Sequence, residues 1–209
     1  MDQHEIFMEA LRHVAQLCAV AAMTAPKSGG QLFSKGAKPF IETVIVEDRE
    51  TLGRFAKWLR AHGTRLKEPI WFRDAETAEK LDLVLFIGLV KWYPPVYDCG
   101  ACGYATCAEF LRAREHQRPA GIEDWEFPGP ICQLRAIDLG IAVGSAAKIA
   151  SLNNIDARCQ TCIASAARHL GIIQADLAVA LSMSVSHKNI FFDRKMPEVT
   201  FSEPPVEGN

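Results

Sequence analysis

The chain lacks an excess of either charge. Its 23 Lys and Arg are set against 25 Asp and Glu, for a net charge of −2. Binding nucleic acid or an anionic membrane needs clustered cations, so neither partner is expected. No apolar run reaches the roughly 20 residues that cross a bilayer. The N-terminal MDQHEIFMEALRHV is charged and amphipathic, unlike the unbroken apolar stretch of a signal peptide. A cytoplasmic protein is therefore expected. The six histidines show no metal spacing with the cysteines. No Ser-His-Asp or paired-carboxylate constellation can be assembled from chain order, and there is no internal repeat. What remains is ordinary globular composition, 49% hydrophobic and 23% charged over 209 residues. That suffices for one large domain or a domain with an insertion.

Cysteine is the residue the chain has in quantity: seven, an odd number. A secreted disulfide framework favours an even count in a small loop-rich domain, whereas clustered cysteines in a reducing compartment hold metals or do redox chemistry. Cys18 stands alone on an apolar helical face and reads as a buried small hydrophobe.

Apolar residues Ile6, Ala10, Leu11, Val14, Cys18 and Ala21 recur at helical spacing and predict a helix over 5–23. A loop with Pro26, Gly29 and Gly30 follows, then a β-branched strand at 41–46. Asp48 is placed to cap a helix whose apolar face is Leu52, Phe55, Ala56 and Leu59, with Gly63 as its stop. The run LVLFIGLV at 83–90 suits a strand buried on both faces. From 91 to 130 the character changes, with five prolines and the first three clustered cysteines. Regular pattern resumes with a small-residue helix at 136–150, a helix at 159–170 stopped by Gly171, and a buried strand at 177–183. The expected class is α+β, a mixed central sheet flanked by helices. Its body would span 1–90 and 136–196, a cluster module 91–135, and a flexible tail 197–209.

The cysteine spacing is Cys99-x2-Cys102-x4-Cys107, then 24 residues, then Cys132. An iron–sulfur cube presents four iron corners, so three ligands from one tight loop hold one face and a distant fourth closes the site. Gly100 and Gly103 follow two of the ligands and tolerate positive φ, letting the loop wrap the cluster and aim N–H groups at its sulfurs. Pro130 stiffens the approach to Cys132. A structural zinc site also uses Cys-x2-Cys, but usually with a second close pair of ligands.

Residues 98–107 (DCGACGYATC) with Cys132 resemble four-iron domains of the pattern C-G-x-C-G-x-x-x-C…C. Together with APKSGG at 25–30, GPICQLRAIDLGIAVGSAAKIAS at 129–151 and HKNIFFDR at 187–194, the chain resembles the DUF2148 "ferredoxin domain-containing" family. That resemblance implies a [4Fe-4S] cluster and a redox role, without naming a substrate. A weaker resemblance underlies it. The order of the N-terminal helix, A-P-x-S-G-G and the small-residue helix is similar to FMN-dependent nitroreductases. It implies a nitroreductase-like body, a homodimer and an FMN pocket, with Lys27 and Ser28 as an anion or flavin loop. The arginine run that usually meets the flavin phosphate is reduced here to Arg12.

Three further groups stay open. Cys159 and Cys162 form a second C-x-x-C, read as packed thiols, a redox dithiol or part of another metal site. Asp138 reads as a structural carboxylate. Asp156, Arg158, Lys188, Asp193 and Arg194 read as a polar network or a substrate-anion site. The functional expectation is a ferredoxin-like protein passing single electrons to a redox partner protein or within a reductase. The alternatives are an FMN-containing oxidoreductase fed by the cluster, and a zinc-stapled interaction module.

Overall fold

The structure is a computed structural model that describes residues 2–28, 39–117 and 126–192. Gly29, Gly30, Asp193, Arg194 and the tail from Pro197 lie outside the described residues.

Helix α1 (Gln3–Thr24) starts on a capping box, in which Asp2 accepts from the Glu5 N–H and Glu5 from the Asp2 N–H, both at 2.8 Å. By length and composition α1 passes as a membrane-spanning helix. It instead lays Leu11, Val14, Ala15, Cys18 and Ala22 into the protein core. Strand β1 (Ile41–Val46) leads into α2 (Arg49–Leu66), whose first turn is capped by Asp48 accepting from the Thr51 N–H at 2.8 Å. Gly63 does not stop this helix. The chain runs on to Leu66 and ends where Lys67 turns left-handed at φ 58°. Gly63 is there for packing: a Cβ on it would sit 2.7 Å from the Trp71 Cβ of α3 (Pro69–Lys80). Strand β2 (Leu83–Leu89) follows and is buried throughout.

After the cysteine loop and α4 (Cys107–Gln117) comes the long α5 (Gln133–Leu152). The helix expected from residue 159 begins later. Residues Asp156–Gln160 are strand β3, paired with β4 (Leu177–Ser184) from Asp156–Ser184 to Gln160–Ala180, and α6 covers Thr161–His169. Pairing to an open sheet edge outweighs the local helical pattern.

The sheet order is β1-β2-β4-β3. The α+β class with flanking helices holds, but all three pairings are antiparallel, where mixed pairing was expected. Two helices lie between β1 and β2 and return the chain to the end it left, so Val46 pairs with Val84; a single crossover helix would have given a parallel pair. Side chains alternate across β2. Leu83, Leu85, Ile87 and Leu89 face α1 and α5 in one core, while Val84 and Phe86 face α2, α3 and α6 in a second.

Candidate metal centre

The chain leaves β2 through a segment alternating between solvent and core: Lys91 and Tyr93 are exposed, Trp92 and Pro94 buried. Left-handed backbone recurs here, at Lys91 (φ 45°), Val96 (φ 60°), Asp98 (φ 48°), Gly100 (φ 72°) and Gly103 (φ 86°). The glycines carry this freely, and a Cβ on either would meet nothing within 4 Å. For β-branched Val96 the same conformation costs about 1–3 kcal/mol. The result is a tight loop, closed by the Gly103 N–H donating to the Gly100 carbonyl at 2.9 Å.

This loop brings Cys99, Cys102 and Cys107 to one cavity with Cys132. The space between its walls is tight, about 10 Å³, and Asp98, Gly100, Tyr104, Phe110 and Gln133 share the lining. Cys99 is exposed, Cys102 and Cys107 are half-buried, and Cys132 is buried. Among the described residues, no three Cys, His, Asp or Glu side chains converge closely enough to hold a single metal ion.

Two of the thiols stand at helix N-termini. Cys107 is the first residue of α4, and the Cys107 N–H donates to the Asp98 carboxylate at 2.6 Å. Cys132 is the N-cap of α5 and makes no side-chain capping hydrogen bond, so the thiol does not compete for the helix's own donors. Each N-terminus carries partial positive charge, a setting that favours an anionic group; at α4 the Cys107 and Glu109 N–H groups are already taken by Asp98 and Thr106. A four-thiolate iron–sulfur centre is such a group, and the donor set, the Cβ-free turns and the two helix ends fit it.

The module is bolted to the body by polar contacts. Asp176, just before β4, accepts from Trp92 Nε1 at 2.7 Å and pairs with Arg114 of α4. The Arg114 guanidinium lies 4.0 Å over the Trp92 ring. Tyr104, Phe110 and Trp92 form an aromatic chain with centroid spacings of 5.9 and 6.0 Å.

Lys27 and Ser28 are not brought to the cysteines. Lys27 Nζ donates to the carbonyls of Ala22, Met23 and Ala25 at 2.8–2.9 Å, closing the C-terminus of α1 where an anion loop was expected. Burial pushes the Lys27 ammonium below its ordinary pKa. Ser28 is tied to buried Asp138, donating from N at 2.8 Å and from Oγ at 2.6 Å. Buried Arg135 completes this knot, at 2.8 Å from Asp138 Oδ2 and, through Nε, 2.7 Å from the Tyr93 carbonyl. Sequence reasoning missed Arg135; its one signal was the i, i+3 spacing to Asp138.

Cys159 and Cys162 are separated by the sheet. Cys159 pairs with Leu181 on the face of the first core, whereas Cys162 lies in the second. The two thiols therefore sit in different surroundings, Cys159 exposed and Cys162 buried. Burial and the neighbouring Asp74 carboxylate push the Cys162 thiol up to about 12, an unreactive state. Among the described members of the polar network, Ser186 Oγ reaches Asp156 at 3.4 Å.

Residues 128–194 match the family described as "Uncharacterized protein containing a ferredoxin domain (DUF2148)", and residues 95–114 match a model described as "Putative Fe-S cluster". An uncharacterized protein of Archaeoglobus fulgidus is 34% identical over 194 residues, 93% of this chain and 97% of the relative. The chain belongs to this ferredoxin-domain family. The cluster model covers Cys99, Cys102 and Cys107, and the family model covers Cys132. Among solved structures, an NADPH:FMN oxidoreductase of Vibrio harveyi is 14% identical with a TM-score of 0.45, covering 94% of this chain and 70% of that one. Nitroreductase A of Vibrio parahaemolyticus is 13% identical, with a TM-score of 0.48 and coverage of 92% and 68%. NfrA1 of B. megaterium is 13% identical, with a TM-score of 0.46 and coverage of 91% and 63%. Likeness at this level carries no argument about cofactor or reaction.

Proposed function

We propose that Cys99, Cys102, Cys107 and Cys132 hold one [4Fe-4S] cluster, and that this family member passes single electrons to a redox partner. The observation that carries the reading is the convergence of all four thiols on one cavity, two of them at helix N-termini. A bound cluster supplies reversible one-electron storage. The chain's own residues do the rest. The Gly100–Gly103 turn shapes the loop, Asp98 orients Cys107, and Phe110 and Tyr104 give the cavity an apolar wall. Three ligands in one loop with a single distant fourth, and no second close pair, suit a multi-iron cluster better than a structural zinc site.

Anaerobic purification followed by iron and acid-labile sulfide assays tests this. About four of each per chain are expected, with charge-transfer absorption in the visible, and Cys132→Ala should lose most of both. Near-stoichiometric zinc without sulfide would overturn the reading.

A further inference from the structure

Charge at the wall of the cysteine cavity is one-sided. Apart from the four cysteines, the described lining consists of Pro, Gly, Leu, Phe, Tyr, Thr and Gln residues and a single charged side chain, Asp98. No lysine, arginine or histidine is among these residues. The first cation of α5, Arg135, does not line the cavity and sets its charge against Asp138 at 2.8 Å.

Asp98 is held where it stands. Its backbone is left-handed at φ 48°, a conformation that Asp and Asn adopt more readily than other non-glycine residues. Its Oδ1 accepts from the Cys107 N–H at 2.6 Å. Thr106 takes two further donors of α4, its Oγ1 accepting from the Glu109 N–H at 3.2 Å and its carbonyl from the Phe110 N–H at 3.1 Å. The two helix ends at the cavity therefore differ. The start of α4 has these donors covered, one of them by an anion, whereas Cys132 begins α5 without a side-chain capping hydrogen bond. Hydrogen bonds and positive charge beside an iron–sulfur centre favour its reduction, and a fixed carboxylate opposes it.

We propose that Asp98 sets the reduction potential of the cluster and, with it, the direction of electron flow. The residue directly precedes Cys99 and holds the N–H of Cys107, so its charge is tied to two of the four ligands. That charge disfavours the added electron. The reduced protein therefore gives its electron up readily and serves as the donor to partners of higher potential. This inference rests on the cluster reading above. One electron enters from an external low-potential donor, dithionite in the test, and the same electron leaves to the partner; no bond is made or broken at Asp98.

The test is a potentiometric dithionite titration of anaerobically purified protein at pH 8, followed by visible absorption. Asp98→Asn keeps an oxygen acceptor for the Cys107 N–H and a residue that tolerates the left-handed backbone, and removes only the charge. Reduction should become about three- to fivefold more favourable, the scale of an exposed charge contact, which is about 30–40 mV upward at 59 mV per tenfold. In 1 M NaCl, where the Debye length falls to about 3 Å, that difference should at least halve. Glu115→Gln makes the same change of charge two turns into α4 and should move the potential by less than half as much. No upward shift, an equal shift in Glu115→Gln, or a shift that salt leaves unchanged overturns the proposal. Loss of iron and sulfide from Asp98→Asn alone also overturns it, because Asp98 then builds the site and does not tune it. Iron and sulfide are assayed on every sample: their absence from the unsubstituted protein defeats the cluster reading, whereas their presence with an unmoved potential defeats only this inference.

Discussion

At the scale of single residues, seven chemically identical thiols are sorted by their surroundings. Cys18 is sealed under α5 and the sheet, and burial pushes the thiol up to about 11. Cys162 is pushed higher, to about 12, by burial and by Asp74. Cys99 is exposed at the lip of its cavity. Iodoacetamide at pH 8 should therefore label Cys99 of folded, cluster-free protein first and leave Cys18 and Cys162 unlabelled, because the thiolate is the nucleophile. Peptide mass spectrometry reads the order, and labelling of Cys162 as fast as Cys99 would count against the structure. That Cys99, Cys102, Cys107 and Cys132 belong together was legible in spacing and glycines, and they line one cavity. The different fates of Cys159 and Cys162 were not legible, since a three-residue interval reads as one helical face until a strand replaces the helix.

Elements show the same division through glycine. Gly53 and Gly63 both lie in α2, where glycine normally weakens a helix by about 0.5–1 kcal/mol relative to alanine. Around Gly53 a Cβ would meet nothing within 4 Å, so Gly53→Ala should stabilise the protein by about that amount. Gly63 instead faces Trp71, whose Cβ belongs to a packed helix and cannot rotate away. Gly63→Ala should destabilise by about 1–3 kcal/mol through overpacking. Urea unfolding of the two variants gives shifts of opposite sign if α2 and α3 pack as seen. A sequence reader sees two helical glycines and takes the later one for a stop, because the partner that explains it lies on another helix. Strands β1, β2 and β4 were legible because dense β-branched or apolar runs of six to eight residues carry their own signal. The five-residue β3, with Asp156 and Arg158, carries little.

At the scale of the whole molecule, the cysteine module shares its core with the body. Cys132, Phe110 and Trp92 belong to the same hydrophobic cluster as α1 and α5. The Arg114–Asp176–Trp92 contact joins α4 to the approach of β4. Asp176→Ala should lower global stability by about 1–3 kcal/mol and speed cluster loss, since it loosens the module and the body together. Chemical unfolding of cluster-free protein checks the first effect and decay of visible absorption the second. A drop in cluster lifetime with unchanged stability would mean that the module holds itself.

By itself the sequence determined the class and most of the elements, because those rest on local spacing, turn chemistry and hydrophobic period. Only the tertiary structure decided that the pairings among the described strands are antiparallel, that Ser28 meets Asp138, and that Trp92 meets Asp176. Each of these depends on residues far apart in the chain, Ser28 with Asp138 or Trp92 with Asp176, whose meeting is set by how the layers stack.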